Sequence, residues 1–185
     1  VPPEVALQIS GVESNFDPKA KPIDPKTGKP RSSATSFFQV VDETFKNLGG
    51  KPEKRTDPME NIRVGVKALA ENQAALTKKL GRAPEASELY TTHFLGTPTG
   101  TKLLAANPEM PVKQFLKEAD PKRADSIMNA NPEVLKGKTV GEVLAWTQKK
   151  MAPILTSAIP IGSAQAEEVP KTKPAATPAA PVLPE

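Results

Sequence analysis

Proline limits what this chain can build more than any other residue. There are 21 prolines in 185 residues, and they sit at the ends of apolar-striped runs. Proline is tolerated in the first turn of a helix and disrupts later turns, because it lacks an N–H and its ring clashes with the preceding turn. The chain is therefore cut into helices with sharp boundaries. Pro2 and Pro3 open a run over residues 3–12 in which Val5, Ile9 and Val12 share one face at i, i+4 and i+7. Asp17-Pro18 is expected to stop it, since a residue before proline is pushed out of the helical region. Asp57-Pro58 opens the longest pattern, with Asp57 as N-cap and Pro58 at the first helical position. Ile62, Val66, Leu69 and Leu76 carry it to a stop at Gly81.

Shorter segments follow the same grammar. Asp42 is expected to cap a short helix ending at Gly49-Gly50, and residues 82–96 restart a helix that ends at Gly96. Residues 97–100 read as a loop, and residues 102–106, 111–119 and 122–130 as short helices bounded by proline. Val140, Val143, Leu144, Thr147 and Met151 form a last helical stripe. Trp146 lies off that stripe, which suits either a groove-lining or an anchoring core residue. Residues 17–36 form a polar loop in which Asp24-Pro25-Lys26-Thr27-Gly28 is a turn signal, with room for a small hairpin. The expectation is a mainly α domain over residues 1–155. From about Thr156, Ala, Pro, Lys, Glu and Thr dominate, and residues 156–185 read as a disordered linker or tail.

Composition removes several function classes. There is no cysteine and a single histidine, His93, so disulfides, thiolate metal sites and His-rich metal clusters are unavailable and no cofactor is expected. The net charge is +4, but Lys and Arg are spread along the chain with few aromatics between them. A base-stacking surface is not evident, and no nucleic-acid partner is expected. Attraction to an anionic cell-wall polymer fits the charge. No stretch has the length of a transmembrane segment.

Glu13 is the residue whose position invites chemistry. It falls in the last turn of the first apolar helix, where the partial negative charge of the helix end disfavours a carboxylate. A half-buried carboxyl there should keep its proton near neutral pH, as a general acid must. By position alone an ordinary surface glutamate fits as well.

The run Glu13-Ser14-Asn15-Phe16-Asp17-Pro18-Lys19-Ala20, following an apolar helix, resembles the Glu-Ser-x-Phe-x-Pro-x-Ala motif of the soluble lytic transglycosylases, lysozyme-like enzymes that cleave peptidoglycan. Ser36-Phe37-Phe38-Gln39-Val40 takes the place of that family's Gly-Leu-Met-Gln-like segment, with Ser for Gly and Phe-Phe for Leu-Met. Asp57-Pro58, Asn61-Ile62 and Gly65 match its Asp-Pro…Asn-Ile…Gly helix. The fourth element, Ala-Tyr-Asn-x-Gly, is diverged. Aligning Gly96 puts His93 at the Tyr position and Phe94 at the Asn position, with Tyr90 one turn earlier on the same face.

The resemblance covers residues 1–96 and makes residues 97–155 a helical extension. It implies a goose-type, lysozyme-like helical fold with Glu13 as general acid and base. Ser14, Gln39, Tyr90 and His93 would contact substrate, with either Tyr90 or His93 bonding Glu13 or a sugar. Phe38, Asn61 and Gly65 would support the site structurally. The implied substrate is the glycan strand of peptidoglycan, cut between MurNAc and GlcNAc with formation of a 1,6-anhydro end, without metal or cofactor. The cell envelope, periplasm or a phage virion would be its location, with virion or secretion-apparatus proteins as partners for the tail. A hydrolytic lysozyme, and a structural module of the same fold without turnover, are the competing readings.

Overall fold

The computed structural model describes residues 1–152; the stretch 156–185, read above as a linker or tail, lies outside the described residues. Their regular structure is helical: α1 (Pro3–Ser14), α2 (Asp42–Asn47), α3 (Pro58–Leu80), α4 (Ala86–Leu95), α5 (Thr97–Leu104), α6 (Val112–Ala119), α7 (Ala124–Ala130), α8 (Pro132–Leu135) and α9 (Val140–Lys150), with a 3-10 turn at Pro52–Lys54. Strand pairing among the described residues is confined to isolated bridges, of which Ile23–Pro30 closes a one-bridge hairpin in the long loop. No helix among them is long and apolar enough to cross a membrane.

Several boundaries follow from capping chemistry. The Asp57 carboxylate accepts the Glu60 N–H at 2.9 Å, Pro58 starts α3, and Gly81 ends it at φ 69°. Glu85 with Glu88, and Thr139 with Glu142, form reciprocal capping boxes on α4 and α9.

Other expectations need correction. α1 is ended not by Pro18 but by Asn15, at φ 50°, whose N–H bonds the Gly11 carbonyl at 2.9 Å. Asparagine enters the left-handed region more readily than most residues, so the helix stops before the proline can act. Asp42 is the first residue of α2 and makes no cap; its carboxylate instead takes Arg55 Nε at 2.7 Å. Residues 97–100 are not a loop but the start of α5, because Pro98 occupies its first turn, where proline is harmless. The single turn α8 is additional to the expected helices.

The buried face of α3 also differs from the expected stripe. Asn61, Val64, Gly65, Ala68, Leu69 and Leu76 are buried, whereas Val66 is 39% exposed. The turn that faces inward is the one with small residues, because another segment must come close there. A Cβ on Gly65 would overlap the Phe38 ring, so only glycine admits that ring.

Two apolar cores result. The first joins Ile9 of α1, Phe38 and Val40, Phe45 of α2, Val64 and Leu69 of α3, and Leu89 and Tyr90 of α4. The second gathers Leu95, Leu103, Phe115, Leu116, Leu135 and Val140, among others, from α4 to α9. α4 contributes to both. It is locked to α9 by the Thr91 and Thr147 hydroxyls, 3.1 Å apart in the interior. It is locked to α5 by Gly100, where a Cβ would be 2.6 Å from Thr92 Cα.

Arg55 fastens the loops to this frame. Its guanidinium donates to Asp42, to the Asn61 side-chain oxygen at 2.8 Å, and to the carbonyls of Ser33 and Val40. It also lies over the Phe45 ring, 4.6 Å from its centroid. Asn61 completes the clamp by donating to the Arg55 and Asp57 carbonyls, both at 2.8 Å.

Residues 36–39 are held under strain. Ser36 and Gln39 have φ of 66° and 47°, where an L side chain crowds its own backbone. Ser36 is buried and its hydroxyl finds no partner among the described residues. Two outcomes are expected. Ser36→Gly removes both the crowding and the orphan hydroxyl and should stabilise by about 1 kcal/mol, raising Tm by roughly 2–4 °C for a chain of this size. Gly65→Ala should cost about 1–3 kcal/mol through overpacking against Phe38. Thermal denaturation followed by circular dichroism checks both; a neutral Gly65→Ala would contradict the packing described.

Candidate active site

The last turn of α1 delivers Glu13 to α4 and the end of α9. Its side chain is 16% exposed, and Tyr90, His93 and Lys150 surround it. Burial pushes the Glu13 carboxyl above its ordinary value of 4.5, because a poorly solvated carboxylate is disfavoured. The neighbouring His93, Tyr90 hydroxyl and Lys150 act in the opposite direction without overcoming it. The Tyr90 hydroxyl is itself pushed upward, by burial first and then by the neighbouring carboxylate. Tyr90 therefore remains a hydrogen-bond donor across the working pH range.

His93 is fixed differently. Its Nε2 lies 3.0 Å from the Phe38 carbonyl and 3.9 Å from Glu13 Oε1. A carbonyl only accepts, so Nε2 must carry hydrogen; the longer distance is beyond hydrogen-bond range. Of the two residues the sequence offers, His93 is taken by the loop that packs on Gly65, while Tyr90 stands beside Glu13, where its hydroxyl favours the carboxylate.

Glu13, Tyr90, His93, Phe94, Trp146 and Lys150 face a cleft of about 510 Å³. Ala20, Arg31 and Gln39 line it from the long loop, and Arg123, Asn131 and Glu133 from the α7–α8 region. The aromatic rings pack against one another at a tilt, with centroids 5.2 Å apart for Phe94 and Trp146, and 5.9 Å for Tyr90 and Trp146.

The remaining expected site residues divide by place. Gln39 lines the cleft, with its amide nitrogen donating to the carbonyls of Ala20 and Ser36 at 3.1 and 2.7 Å. Its side-chain oxygen accepts nothing among the described residues. Ser14 is not in the cleft lining. Its hydroxyl lies within hydrogen-bond distance of the carbonyls of Ser10 and Phe37, at 2.9 and 3.1 Å, so it ties residues 36–39 to the end of α1. A serine near a helix end finds the carbonyl four residues back. Phe38 is buried against Gly65, and Asn61 belongs to the Arg55 clamp, behind the cleft wall.

Trp146, Lys150, Arg31 and Arg123 are cleft residues that sequence reasoning does not assign to the site. For Trp146 a signal exists, since it lies off the buried stripe of its helix. The cations carry none, because only folding brings residues 31, 123 and 150 to one cleft.

The direction of the Glu13 shift predicts how stability depends on pH. Below about pH 4.5 the carboxyl is protonated in both folded and unfolded chains and has no effect. Above it the folded chain holds the proton more tightly, so stability falls as pH rises through the elevated folded value. Glu13→Gln mimics the protonated acid. The variant should match the parent in urea denaturation near pH 4 and exceed it at pH 7; equal midpoints at both pH values would contradict the burial of Glu13.

Residues 1–87 match the family model for the transglycosylase SLT domain. That stretch contains Glu13, the 36–39 loop and α3, and it stops within α4 before Tyr90 and His93. SLT domains act on peptidoglycan, which is consistent with an extracytoplasmic or envelope location. The match and the helical fold support an SLT-like, lysozyme-like domain in this chain, and at the level of the family a lytic-transglycosylase-type function on peptidoglycan.

Proposed function

We propose that this protein cleaves the MurNAc-β-1,4-GlcNAc bond of peptidoglycan and leaves a 1,6-anhydro-MurNAc end, with Glu13 as its one acid and base. The observation that carries the reading is a carboxyl whose pKa burial raises, facing a cleft beside a buried phenol whose own pKa is raised. Ordinary retaining and inverting glycosidases need two carboxyl groups. The other acid lining the cleft, Glu133, is engaged by Arg31 at 3.4 Å. One acid suffices if the substrate supplies its own nucleophile.

Glu13 first gives its proton to the glycosidic oxygen, and the C1–O bond breaks as GlcNAc leaves with a free hydroxyl. Positive charge develops at C1 of MurNAc and is relieved by the carbonyl oxygen of the sugar's own 2-acetamido group. Glu13, now a carboxylate, takes the proton of the C6 hydroxyl. That oxygen attacks C1 and closes the anhydro ring. Glu13 ends protonated again and no water is consumed. Tyr90 serves the second half of this cycle: its hydroxyl beside Glu13 favours the carboxylate, partly offsetting the burial that favours the acid.

Two results are expected. Mass spectrometry of digested peptidoglycan should give anhydro-muropeptides, with Glu13→Gln lowering their yield by about 10³-fold or more while the far-ultraviolet circular dichroism is unchanged. Products with reducing ends would assign hydrolysis instead, and no soluble product from folded protein would favour a structural role. Tyr90→Phe should shift the alkaline limb of the pH–rate profile upward, because the carboxylate loses a stabilising donor. An unmoved limb would remove Tyr90 from the acid–base step.

A further inference from the structure

The cleft has a wall that the family match does not reach. Trp146 and Lys150 stand one turn apart on α9, beyond residues 1–87, yet both line the cleft with Glu13. The Trp146 ring is fixed on its inner side by Phe94 and Tyr90, and Lys150 Nζ lies 5.8 Å from its centroid. A cation over an indole face is held in place without losing its charge. That charge reaches into the site far enough to act on the ionisation of Glu13.

Both arginines of the cleft are paired. Arg31 pairs with Glu133 and Arg123 with Asp120, each at 3.4 Å, and the lining holds four cations, Lys21, Arg31, Arg123 and Lys150, against two acids, Glu13 and Glu133. Among the described residues, Lys21 and Lys150 are the cleft-lining cations without a salt bridge. The cleft therefore presents net positive potential, which its low-dielectric walls concentrate. A neutral glycan has no use for it. A strand carrying carboxylates does.

We infer that Trp146 and Lys150 form a two-part recognition element, the indole packing on a sugar ring and the ammonium pairing with a carboxylate carried by that strand beside the bond to be cut. This rests on peptidoglycan being the substrate and deepens that reading. The carboxylate has two sources: a free acid of the peptide stem, or the lactyl group of muramic acid exposed when the stem is removed. Lys150 is a specificity residue here and takes no part in bond cleavage.

The test is calorimetric binding to the full chain carrying Glu13→Gln, so that no substrate is consumed. The probes are soluble glycan fragments with free-acid stems, the same fragments with every carboxyl amidated, and stemless fragments with the lactyl acid exposed. Adding Lys150→Gln should weaken binding of at least one acidic fragment on the order of tenfold, Lys150→Arg should restore it, and the amidated fragment should be indifferent to both. Sensitivity confined to the first probe assigns the stem acid, and to the third the lactyl acid; either supports the proposal. Equal weakening for acidic and amidated fragments would make Lys150 merely structural, and no weakening would remove it from recognition; both overturn the proposal. Cleavage by the parent chain is measured separately. If it fails while the binding pattern holds, the reaction assigned above is wrong and this recognition element stands.

Discussion

The contact on which the site depends is the Phe38 ring against the bare backbone of Gly65. A single Cβ at position 65 would occupy the space of that ring. Because the ring can settle there, residues 36–39 lie flat on α3 and turn the Phe38 carbonyl to His93. The same loop receives the Ser14 hydroxyl at the Phe37 carbonyl, which ties it to the turn of α1 bearing Glu13. One close approach between a helix and a loop therefore sets the mutual positions of three groups from α1, the loop and α4. The cost is carried locally, as left-handed backbone at Ser36 and Gln39 and a buried hydroxyl without a partner among the described residues.

Electrostatics at the site is a contest that burial wins. Glu13 is surrounded by groups that favour its charged form, namely His93, Tyr90 and Lys150, and its pKa still rises. The balance suits a residue asked to give up a proton and then recover one. Burial alone would make a reluctant base. Strong cationic pairing alone would leave no proton to donate. Lysozyme follows the same logic, since an apolar pocket there raises the pKa of the catalytic glutamic acid.

Much of this is legible in the chain. Asp57-Pro58 and Gly81 mark the ends of α3 because an N-cap carboxylate, a proline and a glycine each satisfy a local backbone requirement. Glu13 can be placed in the last turn of a partly buried helix for the same reason, since apolar spacing and Pro2-Pro3 fix its phase. Local rules fail where two are in competition. Asn15 ends α1 before Pro18 can, and Pro98 starts a helix at a place where proline also suits a loop. Hydrophobicity alone would put Val66 in the core, but the inward face of α3 is the one with Asn61, Gly65 and Ala68, because a neighbouring loop needs the space.

The sequence by itself determined the helical class and the main helix boundaries, since capping, proline geometry and helical periodicity act over a few residues, while the candidate acid was singled out by the resemblance of the motif around Glu13. Only the tertiary structure decided that His93 bonds the Phe38 carbonyl while Tyr90 stands beside Glu13, that the Ser14 hydroxyl meets backbone carbonyls, and that Trp146 and Lys150 join the cleft. Those outcomes depend on contacts between residues far apart in the chain, such as His93 with Phe38 and Trp146 with Phe94. No short-range pattern encodes such distances, because they are fixed only when α1, α4 and α9 pack together.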